Sequence, residues 1–384
     1  MLPLADTISF FSPLQINCGR QALSHLPFEL AARGLHAPLV LADGEKIGRR
    51  ALDRVVDAFR ASGMILGIYD RVPDEPAPDL IPVLAGMFRD GACDSLVVVG
   101  CGAVVDTAKC LNLSVSAYPA SQGDSSPRMS PLVLVATPGG NGDEVTGYAF
   151  DGERRMSSTD LIPSLVIIDP AMMPMQDERG LVNGALLALV HAVEAFCDDG
   201  VGPSCHAYAH AAIRLIMQNL LTGLRSSSQR NQHRLAVVNG QVAAGSAFFA
   251  AGAGICHGLA SRLKETTELP TGFLMAVLLP HLIEVAADVY TGRVGALLYS
   301  MAGSDSYAVT HDDLKVPRVI ALVWEFFEAL NAELDDPIPA SLADAGITRE
   351  QIDRVLSRYD GLAVEDAVKR IIDGALKGIP VMAE

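Results

Sequence analysis

The segment Val97–Lys109, which has the sequence VVVGCGAVVDTAK, decides the fold of the first half of this 384-residue chain. A β-branched apolar run stands directly before two glycines, Gly100 and Gly102, and a helical pattern follows them. Glycines at such a turn let backbone N–H groups approach a pyrophosphate closely, and the helix N-terminus adds a favourable dipole. A Gly-x-Gly turn after a strand is as often only a tight turn, so the spacing alone leaves both interpretations open.

Strand and helix patterns alternate on both sides of this turn. The predicted strand–helix pairs are Pro38–Ala42 with Ile47–Ala61, Gly67–Asp70 with Leu80–Arg89, and Ser95–Val99 with Val105–Leu113, and later strands are Leu132–Ala136 and Leu165–Ile168. Such alternation predicts βαβ units and therefore a parallel sheet in an α/β domain. A polar segment at 119–127 is predicted to be a surface loop.

The pattern changes at about Asp177, and the nearby Pro170 and Pro174 mark the boundary to within several residues. Long segments with a 3.6-residue period follow, namely Leu181–Cys197, His206–Leu224 and His233–Phe249. The sequence therefore predicts two domains, an α/β domain over residues 1–177 and an all-α C-terminal domain over residues 178–384.

Composition excludes several classes of protein. Hydrophobic residues make up 50% of the chain and charged residues 19%, which is typical of a globular protein with a large core. The net charge of -16 argues against nucleic-acid or anionic-membrane partners, because both require a basic surface. Seven cysteines without a Cys-x-x-Cys pair predict neither a disulfide framework nor a zinc ribbon, and a cytoplasmic location is expected.

Two further features need a choice between interpretations. The N-terminus lacks the pattern of a signal peptide. The stretch Leu235–Ser261 has no Lys, Arg, Asp or Glu and is long enough to span a membrane, but its polar residues and glycines favour a buried helix or helix pair.

A second glycine turn and one aspartate extend the candidate ligand site. Val135–Thr146 (VATPGGNGDEVT) again follows an apolar strand, and its glycines and hydroxyl side chains suit a loop that cradles a cofactor; a plain Pro-Gly turn is the alternative. Asp43 follows the strand Pro38–Ala42, where a carboxylate can accept hydrogen bonds from ribose hydroxyls. Equally, Asp43-Gly44 could simply form a turn.

These motifs together resemble the iron-containing (group III) alcohol dehydrogenase family, relatives of dehydroquinate synthase. Gly100–Lys109 is similar to the family's GGGSxxDxAK turn and Thr137–Thr146 to its TTxGTGSEVT loop; Ile168–Pro170, His191–Phe196 and Leu279–His281 match as well. The resemblance implies a Rossmann-like domain that binds NAD or NADP, an all-helical domain, and a metal (Fe or Zn) with a small alcohol or carbonyl substrate between them. It also implies a homodimer.

The resemblance assigns cofactor roles residue by residue. The residues that would line the phosphate turn are Gly100, Cys101, Gly102, Asp106 and Lys109. Asp43 would lie near the adenosine ribose, and Thr137, Pro138 and Thr146 would lie along the cofactor. Asp43 would repel a 2′-phosphate, which slightly favours NAD over NADP.

The metal ligands of the family are only partly present. In the family, the metal is held by an Asp and a His four residues apart on one helix and by two later His residues. In this chain these four positions hold Leu187, His191, His257 and Thr271. A further family histidine is replaced by Ser261. Two imidazoles alone hold an ion weakly, so we predict a site with little or no metal. The alternative is a metal site rebuilt with carboxylates from the set Glu194, Asp198, Glu265 and Glu268. These four acids could equally form a solvated helix face.

Without a metal, His191 and His257 are the candidate catalytic residues, because a developing alkoxide needs a pre-placed hydrogen-bond donor. The maleylacetate reductases are regarded as a metal-independent branch of the superfamily, and they also look changed at the aspartate position that Leu187 occupies here. His281 is interpreted as structural. The competing hypothesis is a protein that binds nucleotide but has lost dehydrogenase chemistry.

Overall fold

The computed structural model describes residues 10–116, 129–152, 154–173, 177–225 and 228–378. They form two units, one of residues 12–177 and one that combines residues 10–11 with residues 178–378. The predicted polar loop at 119–127 lies outside the described residues. Each unit is considered by itself below.

The first unit is built on a six-stranded parallel sheet. Its strands are β1 (Gln15–Cys18), β2 (Pro38–Ala42), β3 (Gly67–Tyr69), β4 (Ser95–Val99), β5 (Leu132–Val135) and β8 (Leu165–Ile168), in the order β1-β8-β5-β4-β2-β3, and β6 (Tyr148–Phe150) and β7 (Arg155–Ser157) form a small antiparallel pair. Its helices are α1 (Ala22–Ala32), α2 (Gly44–Ile47), α3 (Arg49–Phe59), α4 (Leu80–Asp90) and α5 (Ala103–Val115).

The central strands explain why the sheet is parallel. Every residue of β2, β4, β5 and β8 is buried, as expected when helices cover both faces of a sheet. The chain runs from β2 outward to β3 and then returns to place β4 on the other side of β2. The strand order therefore reverses between β2 and β4, and open α/β sheets bind ligands at the carboxyl ends of strands beside such a reversal.

The second unit consists of helices within the described residues. They are α6 (Glu178–Cys197), α7 (Pro203–Leu224), α8 (Arg230–Ala251), α9 (Ile255–Lys264), α10 (Thr271–Val309), α11 (Asp312–Asn331), α12 (Arg349–Leu356) and α13 (Glu365–Lys377). One hydrophobic core, to which α6 and α10 contribute heavily, joins them. The prediction of an α/β fold with a parallel sheet followed by an all-helical region is confirmed.

Several helices of this unit are strongly apolar. Within the described residues, Glu178–Cys197 and Thr271–Val289 are long and apolar enough to cross a membrane, and 72% and 61% of their windows are buried inside the fold. The uncharged stretch Leu235–Ser261 forms the end of α8 and the start of α9, which meet at a bend of 103°. Most of its residues are buried or half-buried inside the helical unit, as the sequence favours.

Candidate functional site

The glycine turn between β4 and α5 has a backbone that only glycine adopts easily. Gly100 has φ +131° and Gly102 has φ +69°, both in the region that L side chains rarely occupy. A Cβ on Gly102 would meet nothing within 4 Å, whereas one on Gly100 would lie 3.1 Å from the Val104 side chain, so the turn is open at Gly102. Gly102 is also the N-cap of α5 and lacks a side chain that could bond to the first N–H groups of the helix. These groups remain able to bind an anion.

Asp43 lies at the carboxyl end of β2, the neighbour of β4. Its Oδ1 accepts hydrogen bonds from the backbone N–H groups of Glu45 and Lys46, both at 3.2 Å, so it caps α2. Burial, and then the neighbouring Asp74, raises the pKa of Asp43. Asp43 and Gly44 therefore begin a short helix rather than a plain turn, and the Asp43 carboxylate lies at the end of β2, the strand next to β4.

A cavity of about 1040 Å³ opens next to Asp43. Its charged lining is mainly acidic, with Asp43, Glu45, Asp53, Asp70 and Asp74 against Arg49 and Arg71. The cavity is therefore a poor place for an additional phosphate and a suitable one for a neutral hydroxyl group.

Lys109 is almost wholly buried and holds the second glycine loop. Its Nζ donates to the carbonyl oxygens of Asp143, Thr146 and Tyr148 at 3.1, 2.9 and 2.8 Å. Burial lowers the pKa of Lys109 to about 8, although the nearby Asp106 opposes this shift. The side chain predicted to bind phosphate is thus engaged in fixing the loop that follows β5.

The remaining predicted cofactor residues lie around the same two turns. The Thr137 side chain hydrogen-bonds to Cys101, whose thiol pKa is raised to about 12 mainly by burial. Thr146 is buried, and its hydroxyl donates to the Asp143 carbonyl at 2.7 Å. Pro138 begins the second loop after Thr137. These positions come from two loops that follow the adjacent strands β4 and β5.

Asp106 stands in the first turn of α5, one turn before Lys109. Burial raises its pKa to about 6, although Lys109 lowers it in part, and its Oδ1 accepts the backbone N–H of Phe150 at 3.2 Å. Like Lys109, it ties α5 to the segment after the second glycine turn.

The helical unit brings the two candidate catalytic histidines together. His191 on α6 and His257 on α9 approach with 2.8 Å between Nε2 and Nδ1, a hydrogen-bond distance. The His191 ring also stacks on Phe248 with centroids 3.9 Å apart and planes 9° apart. His191 is buried and His257 is half-buried, so His257 forms the more accessible end of the pair.

Few side chains around the two imidazoles offer donor atoms for a metal ion. Leu187, four residues before His191 on the same face of α6, is buried and offers no lone pair. Two imidazole nitrogens on one tetrahedral zinc would stand roughly 3.4 Å apart. Across the part of the chain that the structure describes, no group of three or more His, Cys, Asp or Glu side chains is placed to hold a metal.

The carboxylates considered as replacement ligands have other positions. Glu265 is exposed and forms a 3.4 Å ion pair with Arg358. Glu268 is exposed, and Asp198 accepts the backbone N–H of Gly200 at 2.7 Å. These three acids have the surroundings of solvated or turn-forming residues.

Glu194 differs from the other acids. Its Oε1 accepts the backbone N–H of Cys256 at 2.7 Å, at the start of α9. Burial raises its pKa to about 7, although hydrogen bonds from the N–H groups of Cys256 and His257 oppose the shift. Sequence reasoning treated Glu194 only as a possible ligand, yet its spacing from His191 places both on one face of α6.

Two more residues at these sites were missed. Glu144 is buried and accepts the backbone N–H groups of Asn141 and Gly142 at 3.2 and 2.8 Å, so it shapes the second glycine loop. Phe248 fixes the plane of His191. The glutamate lies inside a quoted motif and could have been noticed, whereas the Phe248 contact depends on helix packing.

His281 is buried on α10. Its Nδ1 lies 3.2 Å from Glu284, and its ring contacts the edge of Trp324. Burial lowers the pKa of His281, although Glu284 opposes this shift. These contacts are those of a core residue.

Comparison with known proteins agrees with this architecture. Residues 13–170 match the family model described as iron-containing alcohol dehydrogenase, and residues 181–368 match that of the C-terminal part of the Fe-containing alcohol dehydrogenase family. Long-chain-alcohol dehydrogenase 1 of Geobacillus thermodenitrificans is 29% identical over 309 residues, which cover 77% of this chain and 78% of the relative.

Two further relatives cover more of the chain. The NAD-dependent methanol dehydrogenase of Bacillus methanolicus is 25% identical over 357 residues, 90% of this chain and 91% of the relative. The crystal structure of a 1,3-propanediol oxidoreductase superposes with a TM-score of 0.82 at 23% identity and covers 96% of this chain and 100% of that one. At that identity the structural likeness supports the fold.

Proposed function

Because this chain belongs to the iron-containing alcohol dehydrogenase family and is an enzyme of that type, we propose that it interconverts an alcohol and an aldehyde or ketone with NAD and with little or no metal. The observation that carries the proposal is the contact of 2.8 Å between His191 and His257 on a helix face where Leu187 takes the place of a ligand. It supports proton transfer by an imidazole pair.

The first unit supplies a fitting place for the dinucleotide. The open, positive-φ turn at Gly100 and Gly102 and the N-terminus of α5 suit a pyrophosphate. When bound, the nicotinamide donates or accepts the hydride. The acidic cavity beside Asp43 favours a ribose 2′-hydroxyl over a 2′-phosphate, and the methanol dehydrogenase of Bacillus methanolicus is named as NAD-dependent. Both observations support NAD over NADP.

A metal does not fit the side chains of the second unit, so no step is assigned to one. Two imidazoles and a leucine offer too few donors, and the imidazole nitrogens are close enough for a hydrogen bond between them. Charge that develops on the substrate oxygen must then be met by a proton donor of the protein.

The histidine pair can act as a proton relay. When the pair carries one positive charge, His191 holds a hydrogen on both nitrogens and donates the Nε2 hydrogen to His257 Nδ1, while His257 holds its own hydrogen on Nε2. His257 Nε2 is the natural donor to an alkoxide, because His257 is the more accessible ring. As the Nε2 proton of His257 leaves for the alkoxide, the shared proton moves from His191 Nε2 to His257 Nδ1, so both rings end neutral. Phe248 fixes the plane of His191 during this transfer.

The test is oxidation of NADH and NADPH by the purified protein with a panel of aldehydes, ketones and keto acids, before and after dialysis against a chelator. We expect turnover that survives chelation and prefers NADH. His257→Ala should lower kcat by about 10² to 10⁴, the usual contribution of general acid catalysis. His311→Asn, at an exposed histidine, is the matched control and should leave kcat unchanged.

Two outcomes contradict the proposal in different ways. Nucleotide binding without turnover of any panel member by folded protein supports the alternative of a silent binding subunit. Stoichiometric iron or zinc that resists the chelator, with activity that depends on it, contradicts the metal-poor site.

We also infer a cytoplasmic homodimer. The burial of the described apolar helices inside the helical core supports the cytoplasmic location, and the negative charge argues against nucleic-acid partners. Cell fractionation and light scattering test location and assembly.

A further inference from the structure

Helices α6 and α9 touch at two polar points, and on each side the two residues involved are three positions apart in the sequence. On α6 the spacing is His191 to Glu194; at the start of α9 it is Gly254 to His257. The imidazoles form one point, at 2.8 Å. The Glu194 carboxylate and the first N–H groups of α9 form the other, at 2.7 Å for Cys256. His257 is therefore held through both its side chain and its backbone.

The Glu194 carboxylate occupies the space into which the side chain of a non-glycine residue at position 254 would point. A Cβ built on Gly254 would lie 2.3 Å from both Cδ and Oε1 of Glu194, a distance that real Cβ atoms essentially never show. Gly254 has φ -81° and ψ -173°, which any L residue adopts. A side chain at position 254 would therefore be tolerated by the backbone and would displace the Glu194 carboxylate.

This close fit sets the position of α9 along α6. If the carboxylate were absent, the N-terminus of α9 would lose a charged acceptor for its N–H groups and could shift. A shift of about 1 Å would take the imidazole nitrogens beyond hydrogen-bond range. The contact between the two rings therefore depends on the contact between Glu194 and the glycine.

We infer that Glu194, seated against Gly254, is the positioning residue that holds His257 in register with His191. Its catalytic consequence rests on the function proposed above, whereas its effect on the two imidazoles does not. Glu194 itself touches the backbone of α9 and is not assigned a catalytic step.

The test is a double-mutant cycle of Gly254→Ala and Glu194→Ala. In the native background, Gly254→Ala should push the carboxylate away, change the imidazole ¹⁵N chemical shifts of His191 and His257, and lower kcat by about tenfold or more, since misplacement by about 1 Å costs up to about 10²-fold. In the Glu194→Ala background the clash is gone, so the added alanine at 254 should have little further effect on the shifts or on kcat.

A conservative variant and a control sharpen the cycle. Glu194→Gln keeps an oxygen that can accept the Cys256 N–H, and it should retain more of the native imidazole shifts and of kcat than Glu194→Ala. It also serves if the alanine variant does not fold. Gly86→Ala, in α4, is the matched control, because a Cβ there meets nothing within 4 Å, and it should leave the imidazole shifts unchanged.

The results separate this inference from the proposed function. Equal effects of Gly254→Ala in the two backgrounds, or imidazole shifts that Gly254→Ala and Glu194→Ala leave unchanged, would overturn it. If the native enzyme turns over no substrate, the proposed function fails, while the NMR measurement still decides whether Glu194 positions His257.

Discussion

Replacement of Lys109 by methionine should loosen the loop that follows β5 while it keeps the length of the buried stem. The ammonium donates to three backbone carbonyls, those of Asp143, Thr146 and Tyr148. In the variant the Asp143 carbonyl still accepts the backbone N–H of Thr146, which lies 3.1 Å away. The carbonyls of Thr146 and Tyr148 lose the charged donor. The substitution therefore acts mainly on the segment from Thr146 to Tyr148.

The size of the effect follows from these contacts. Hydrogen bonds to charged groups contribute about 1.5–3 kcal/mol each, which gives about 3–6 kcal/mol for two. The variant also avoids the cost of burying an ammonium group. That cost is indicated by the pKa of Lys109, which burial lowers to about 8. We expect a net loss near the low end, about 3 kcal/mol.

Hydrogen exchange at residues 143–150 is the direct assay, and it should become much faster in Lys109→Met. The control is Lys264→Met, at an exposed lysine whose Nζ lies 3.4 Å from a carbonyl; it should change stability by less than about 0.5 kcal/mol. Unchanged exchange at residues 143–150 in Lys109→Met would refute the view that this lysine holds the loop.

The pH dependence of this effect has a definite sign. The pKa of Lys109 is about 8 in the fold against 10.5 ordinarily, so between these values the unfolded chain binds more protons than the native one. Stability from this group therefore rises with pH across that window. The native protein should gain stability relative to Lys109→Met between pH 8 and 10.5, and denaturant titrations at both ends check it; a declining difference would contradict it.

Three further predictions concern other parts of the chain. Asp43→Ser removes one acid from the cavity beside the glycine turn and should raise kcat/KM with NADPH relative to NADH; an unchanged ratio would show that Asp43 does not select the cofactor. Leu187→Asp adds a carboxylate four residues before His191, and with His257 it should raise zinc or iron content toward one per chain by elemental analysis, whereas unchanged content would argue that the site cannot accept an ion. Gly240→Ala should lower the free energy of unfolding by about 1–3 kcal/mol despite its better helix propensity, because its Cβ would lie 2.9 Å from a side chain of α7; a rise in Tm would contradict this packing.

The elements that the sequence predicted are those with strong local patterns. Pro38–Ala42 and Ser95–Val99 are strands with the predicted bounds, because short, mainly apolar runs between helical patterns leave little choice. The edge strand Gln15–Cys18 was not predicted, since it is mostly exposed and its four residues are too few for their alternation to stand out. The small pair Tyr148–Phe150 and Arg155–Ser157 has three residues per strand, which is too few for a period.

The candidate site divides in the same way. The positions of Gly100 and Gly102 at a strand end follow from local sequence, as does the placement of Leu187 beside His191 on one helix face. The meeting of His191 with His257 depends on how α6 packs against α9, which no local pattern determines. The direction of the Lys109 side chain is likewise set by a loop 34 residues later in the chain, so the sequence suggested a phosphate ligand where the fold has a loop support.

The stacking of Phe10 on Tyr208 bears on how the protein is made. Both rings belong to the helical unit, with centroids 5.3 Å apart, yet the whole α/β unit separates them in the sequence. During synthesis Phe10 leaves the ribosome long before its partner exists, and it must stay available until α7 has been translated. The α/β unit can therefore fold first, whereas the N-terminal segment with Phe10 packs against the helical unit only after α7 has been made.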